Sequence, residues 1–158
     1  MPELKFSSLF MNPQVYAIFG AAIAFLLAAL GSSRGCGIAG QAAAGVVAEE
    51  PKRFTATMIL QAMPSTQAIY GFVIANMILG KISGDMTLSQ GLSLFIIGLP
   101  MGIVGWYSAV YQGKVATSGI HLVAKRPGGL FNAIIYATMV ELFAIFSLVV
   151  SILMLGKV

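Results

Sequence analysis

The sequence predicts an all-α membrane protein of four transmembrane helices, laid out as a duplicated helical hairpin. Three observations carry this. The chain is 58% hydrophobic and 9% charged, with a mean hydropathy of +0.92, a composition that a water-soluble domain does not need. Charged and Pro/Gly-rich breaks divide it into four long apolar segments. The two halves of the chain also resemble each other.

The first segment runs over about 14–48 and ends at Glu49-Glu-Pro-Lys-Arg53; the second, 54–80, ends at Lys81-Ile-Ser-Gly-Asp85. The third covers 88–124 and stops at Lys125-Arg-Pro-Gly-Gly129, and the fourth, 130–156, closes before Lys157. Each is long enough for a bilayer, which about 20 helical residues cross. Breaks this short make successive helices antiparallel neighbours, so 1–80 forms one hairpin, 81–158 a second, and both termini lie on one side. Met1-Pro-Glu-Leu-Lys-Phe has a weak charged region and no clear small-residue cleavage site, so no cleaved signal peptide is expected. Cys36 stands alone, which excludes an intrachain disulfide.

Gly37, Val47, Ala48 and Pro51 recur at a constant offset as Gly113, Val123, Ala124 and Pro127. Shifting the offset by two residues within the following helix sets Gln67 opposite Glu141, so that only the second copy carries a carboxylate. The copies have parallel orientation, as in a ring or bundle and unlike an inverted-repeat transporter. Gly31, Gly35, Gly37, Gly40 and Gly45 mark the first segment, and Gly98, Gly102, Gly105, Gly113 and Gly119 the third. Small residues let helices approach closely in lipid. Their density on alternate helices predicts a closed homo-oligomeric ring with helices 1 and 3 inside and helices 2 and 4 outside.

The excess of four positive charges is small and scattered, which gives no nucleic-acid surface and fits anchoring at the lipid headgroups. Lys52, Arg53, Lys125 and Arg126 lie at the two hairpin turns, against Lys5, Lys81 and Lys157 on the other side. Arg34 and Lys114 sit in the turn-side halves of their helices and add to the bias. Positive residues favour the cytoplasm, so the turns are expected there.

Glu141, near the middle of the fourth segment, is the residue the chain is organised around. An acidic side chain at a helix centre costs about 2.5–3.5 kcal/mol on insertion, so its presence calls for a proton, a bound cation or a basic partner. A protonated glutamic acid serving only as an interhelical donor is the plain alternative. In the second segment Met63, Thr66, Gln67 and Tyr70 follow i, i+3, i+4, i+7 spacing and share a helical face. Pro64 has no amide hydrogen, so the Leu60 carbonyl loses its helical donor and neighbouring carbonyls such as that of Met63 are loosened. Gln112 on the third segment lies at a compatible depth. A proton site needs little beyond the carboxyl group, whereas a hard cation must replace its hydration shell with several oxygens. Thr66, Gln67, Gln112 and Glu141, with one backbone carbonyl, supply such a shell, and Tyr70 can donate to the carboxylate and orient it.

These residues resemble a known family, the proteolipid subunit, called K or c, of V-type and prokaryotic A/V-type rotary ATPases. The resemblance covers nearly the whole chain. It rests on the duplicated hairpin, on Gly31-Ser-Ser-Arg-Gly-Cys-Gly-Ile-Ala-Gly40, on Leu60-Gln-Ala-Met-Pro-Ser-Thr-Gln-Ala-Ile-Tyr-Gly-Phe72, on Gln112-Gly-Lys114 and on Val140-Glu141. The Pro-x-Thr-Gln-x-x-Tyr pattern from Pro64 to Tyr70 is similar to the sodium-translocating bacterial branch. The resemblance implies that the Met63 carbonyl, the side chains of Thr66, Gln67 and Gln112, and the Glu141 carboxylate ligate Na+, with Tyr70 hydrogen-bonded to Glu141. Gln41 stands where a related bacterial sequence has a glutamate, and it receives no ligand role. The resemblance further implies a ring of identical subunits in lipid, turning against a stator membrane subunit whose essential arginine displaces the ion. A central-stalk subunit at the cytoplasmic loops would couple the ring to nucleotide-binding subunits. The implied location is a bacterial cell membrane, multi-pass, with a vacuolar-type membrane as the alternative.

No Gly-x-x-x-x-Gly-Lys-Ser/Thr occurs, and the resemblance implies ion carriage as a non-catalytic subunit of an ATPase or ATP synthase. The same ring carrying H+ is the first alternative. A small proton-coupled four-helix transporter would want an aromatic substrate cavity near the carboxylate, where Phe143 and Phe146 face glycines and amides. A pore-forming structural proteolipid would leave the oxygen constellation without a purpose.

Overall fold

A computed structural model describes residues 11–158, so Lys5 and the N-terminal processing reading lie outside the described residues. Four apolar stretches long enough to cross a membrane are present: Pro13–Glu49, Pro51–Leu79, Leu88–Lys125 and Pro127–Leu155. No strand occurs among the described residues.

Helix α1 is Pro13–Glu49. Asn12 caps it, its side chain accepting from the Gln14 amide at 2.9 Å, and Pro13 fills the first turn, where its missing N–H is harmless. The helix stops because Glu50 precedes a proline and leaves the helical region, at φ −129° and ψ 85°. After one 3-10 turn, Pro51–Arg53, the chain reverses into α2, Phe54–Ala62. The segment expected over 54–80, loosened at Pro64, is interrupted there by the 3-10 turn Met63–Ser65, and α3, Thr66–Leu79, continues. The reason is that proline can neither donate to the residue one turn earlier nor tolerate its carbonyl.

Helix α4, Leu88–Lys125, begins with a reciprocal capping box between Thr87 and Gln90. It ends as α1 does, at a residue before proline, Arg126 with φ −135° and ψ 98°. A 3-10 turn, Pro127–Gly129, leads into α5, Leu130–Leu155. The two hairpin turns are thus repeated in backbone geometry as well as in sequence. Burial repeats too. Thr57 and Ala133, Gly71 and Ser147, and Ala75 and Ser151 are buried in pairs at the offset that relates Gly37 to Gly113.

That pattern corrects the two-residue shift expected from the sequence. At the constant offset the counterpart of Glu141 is Ser65, which is exposed, and that of Gln67 is Phe143. Gln67 nevertheless turns inward, because it falls on the same buried face as Leu60, Pro64, Gly71 and Ile74, which runs through the break.

Helices α1 and α4 lie against each other along most of their length, with α2, α3 and α5 packed on their outer sides. Glycine makes the approach feasible. A Cβ on Gly113 would sit 2.5 Å from the Gly35 Cα, and one on Gly98 would overlap the Gly20 carbonyl. These glycines close a contact between the first and third segments within one chain. Gly37 and Gly45, by contrast, face open space.

The core has two apolar clusters. One gathers Ala17, Ala24, Ala28, Ile74, Ile78, Leu94, Ile97 and Met101 toward the 80–87 loop. The other gathers Ala39, Leu60, Ala116, Ile120, Val123 and Ala133 toward the hairpin turns. Between them lies a polar layer made of Ser32, Gln67, Ser108 and Gln112, all buried. A buried amide without a partner costs roughly 2–7 kcal/mol, and among the described residues no buried side-chain nitrogen or oxygen lacks one.

Candidate functional site

The polar layer ends at Glu141. Its half-buried carboxylate uses both oxygens: Oε1 accepts from the Tyr70 hydroxyl at 2.8 Å, and Oε2 accepts from Gln112 Nε2 at 3.2 Å. No salt bridge reaches it, since Arg53–Glu50 at a hairpin turn is the sole ion pair among the described residues. Of the three ways to keep a carboxylate in an apolar helix, a basic partner within the described chain is therefore not used, which leaves a proton or a cation.

From Gln112 the network continues into α3. Gln112 Oε1 accepts from Gln67 Nε2 at 2.6 Å, and the same nitrogen also donates to Ser108 Oγ at 3.2 Å. Gln67 Oε1 is thereby turned toward Thr66, whose Oγ1 lies 3.4 Å away. Thr66 Oγ1 in turn donates to the Met63 carbonyl at 3.1 Å. The Met63 carbonyl also accepts the Thr66 amide in the 3-10 turn, a bond that exists because Pro64 breaks the α-helical ladder.

All six residues singled out in the sequence thus fall into one connected group. Met63, Thr66, Gln67 and Tyr70 come from the break between α2 and α3 and the start of α3; Gln112 comes from α4 and Glu141 from α5. The oxygen spacing suits a hard cation. Ligands at 2.3–2.6 Å on neighbouring octahedral vertices sit roughly 3.3–3.7 Å apart, near the 3.1 and 3.4 Å found from Thr66 Oγ1 to the Met63 and Gln67 oxygens. A cation there would take over the work that the Thr66 proton does between those oxygens.

Two participants escaped the sequence reading. Ser108 donates to the Val140 carbonyl at 3.0 Å while accepting from Gln67, and so ties α3, α4 and α5 together beside Glu141. Ser32 accepts from the Ala68 amide at 3.0 Å, just past the break. The signal for both was present: Ser108 precedes Gln112 by one helical turn, and Ser32 and Ser108 are equivalent positions in the repeat.

Comparison with known proteins agrees with the repeat. The family model for the C subunit of ATP synthase matches residues 19–78 and again 95–154. The chain is 41% identical to the V-type sodium ATPase subunit K of Enterococcus hirae, over 89% of this chain and 90% of that protein. It is 37% identical to the A-type ATP synthase subunit K of Methanocaldococcus jannaschii, over 92% of this chain and 64% of that protein. It is 25% identical to the human 16 kDa proteolipid of the V-type proton ATPase, over 90% and 92%. With both halves matched and these identities spanning nearly the whole chain, the protein belongs to the family of ATP synthase C subunits.

Proposed function

We propose that this chain is the membrane rotor subunit of a V-type rotary ATPase and that it carries one Na+ per subunit on Glu141. The observation that carries the reading is the half-buried carboxylate inside an apolar helix, held by Tyr70 and Gln112 and continuous with the oxygens of Gln67, Thr66 and Met63. Those five oxygen donors, from Met63, Thr66, Gln67, Gln112 and Glu141, form the ion's shell, and Tyr70 orients the carboxylate. The relative from Enterococcus hirae, named a sodium ATPase subunit, supports sodium over the proton.

Identical subunits form a closed ring in lipid, with α1 and α4 inside and the site-bearing α3 and α5 outside. There Glu141 meets the arginine of a stator membrane subunit, which displaces the ion. The hairpin turns, with Lys52, Arg53, Lys125 and Arg126, lie in the cytoplasm of a bacterial cell and engage the central stalk. ATP hydrolysis or synthesis in other subunits drives, or is driven by, the rotation.

The test is transport by the whole complex in membrane vesicles. Radioactive sodium uptake driven by ATP should occur with the unsubstituted subunit and vanish with Glu141→Gln, while the ring is still made. ATP-driven acidification without sodium uptake would give the ring to protons instead.

A further inference from the structure

Which end of the Gln67 amide faces the ion is set by a chain of one-way hydrogen bonds, and its two starting points are groups of fixed polarity. A carboxylate can only accept, so Glu141 holds the nitrogen of Gln112 toward itself and turns Gln112 Oε1 toward Gln67. A backbone carbonyl can likewise only accept, so Val140 takes the single proton of Ser108 and leaves that hydroxyl a lone pair for Gln67. The Gln67 nitrogen meets two acceptors. Its oxygen has no choice but the side of Thr66.

We propose that Ser108 is a positioning residue for sodium binding: it locks Gln67 with its carbonyl oxygen toward the ion and does so independently of the charge on Glu141. The inference rests on the sodium reading above. The two arms of the lock differ in kind. The arm through Gln112 depends on Glu141 remaining an acceptor, and Glu141 is the group that exchanges its ion during turnover. The arm through Ser108 ends on the Val140 carbonyl, whose polarity never changes. It therefore keeps Gln67 aimed while Glu141 is between partners, so the site need not reorganise each time an ion arrives. Ser108 itself is 5% exposed, and its hydroxyl bonds to Gln67 and the Val140 carbonyl.

The experiment is equilibrium binding of radioactive sodium to the purified oligomer. Loss of a partner that orients a ligand typically lowers cation affinity about 10–100-fold, and Ser108→Ala should weaken binding by that factor. Ser108→Thr keeps the hydroxyl, and its extra methyl has room in the groove of about 390 Å³ lined by Ile103, Tyr107 and Phe143; it should bind within about threefold of the parent. Ser108→Cys keeps a side chain of similar shape, slightly larger, that accepts hydrogen bonds only weakly; it should lose sodium affinity by the same factor and takes the place of the alanine variant if that one does not assemble. A role exerted through Gln67 must vanish with Gln67. In a Gln67→Ala background, Ser108→Ala should change the dissociation constant by less than about threefold. Parent-like binding by Ser108→Ala or Ser108→Cys, or an equal loss with and without Gln67, would overturn the proposal while leaving the sodium reading standing. An unsubstituted oligomer that binds no sodium would overturn both.

Discussion

The Tyr70 hydroxyl donates to Glu141 Oε1 at 2.8 Å across the α3/α5 contact, bringing the two halves of the chain together at the one carboxylate of the membrane region. A hydrogen bond to a charged group contributes about 1.5–3 kcal/mol. Removing it with Tyr70→Phe should weaken sodium binding by that amount at neutral pH. Sodium-binding isotherms of parent and variant check this. Identical isotherms for parent and variant would show that Tyr70 does not orient the ion-bound carboxylate.

Each neutral oxygen donor should matter without being indispensable. Thr66→Ala, Gln67→Ala and Gln112→Ala each leave a buried or half-buried partner unmatched, which costs roughly 1–3 kcal/mol. Sodium affinity should fall by the corresponding factor, about 5–150-fold, and the stoichiometry should stay at one ion per chain. Two sodium sites per chain in the parent would contradict the single-site assignment, in which Ser65, the counterpart of Glu141, has no acid.

Pro64 creates the break in which the Met63 carbonyl takes its bond from the Thr66 amide. Pro64→Ala restores the donor missing from the Leu60 carbonyl and lets the α-helical ladder run through. The expected outcome is a thermally steadier oligomer with sodium affinity lowered about tenfold, as for loss of one ligand. Calorimetry and sodium binding on the same preparation read the two effects. Unchanged affinity would mean that the 3-10 turn is not needed by the site.

The glycines divide into two groups with different phenotypes. Gly98→Val drives a side chain into the Gly20 backbone and should prevent the α1/α4 pair from closing, so that no stable protein accumulates. Gly37→Leu and Gly45→Leu meet nothing inside the chain, so each should give a folded protein that fails to assemble into the large oligomer. Mass measurement in detergent separates these outcomes. A full-size ring carrying leucine at both positions would argue against α1 forming the inner layer.

Much of this was written in the sequence, because a membrane reduces the problem to apolar runs and their breaks. The spans, the break at Pro64 and the face shared by Met63, Thr66, Gln67 and Tyr70 all follow from hydropathy, proline chemistry and helical periodicity. Ser108 did not stand out, since a lone serine in a membrane helix usually bonds back to its own turn, as Ser147 does to the Ala144 carbonyl. Only packing shows that its hydroxyl reaches Val140 on another helix. The repeat register was misjudged because Gln67 and Glu141 were aligned by their polar chemistry, whereas burial sets Ser65 opposite Glu141. The glycines were read as contacts between subunits because composition cannot tell which of two partners a small residue faces.

The central claim is that Glu141 carries sodium, and its most direct test is carbodiimide labelling of the oligomer as a function of sodium and pH. The reagent attacks a protonated carboxyl group and spares one that holds a cation. Sodium and the proton compete for the same oxygens. Labelling at Glu141 should therefore be strong without sodium and fall as sodium is added. The half-protecting concentration should rise about tenfold for each pH unit of acidification where the carboxyl is mostly protonated, and rise again in Thr66→Ala and Gln67→Ala, while Glu141→Gln should not label. Labelling of Glu141 that ignores sodium across the neutral and alkaline range would contradict the account and leave a proton-carrying ring in its place.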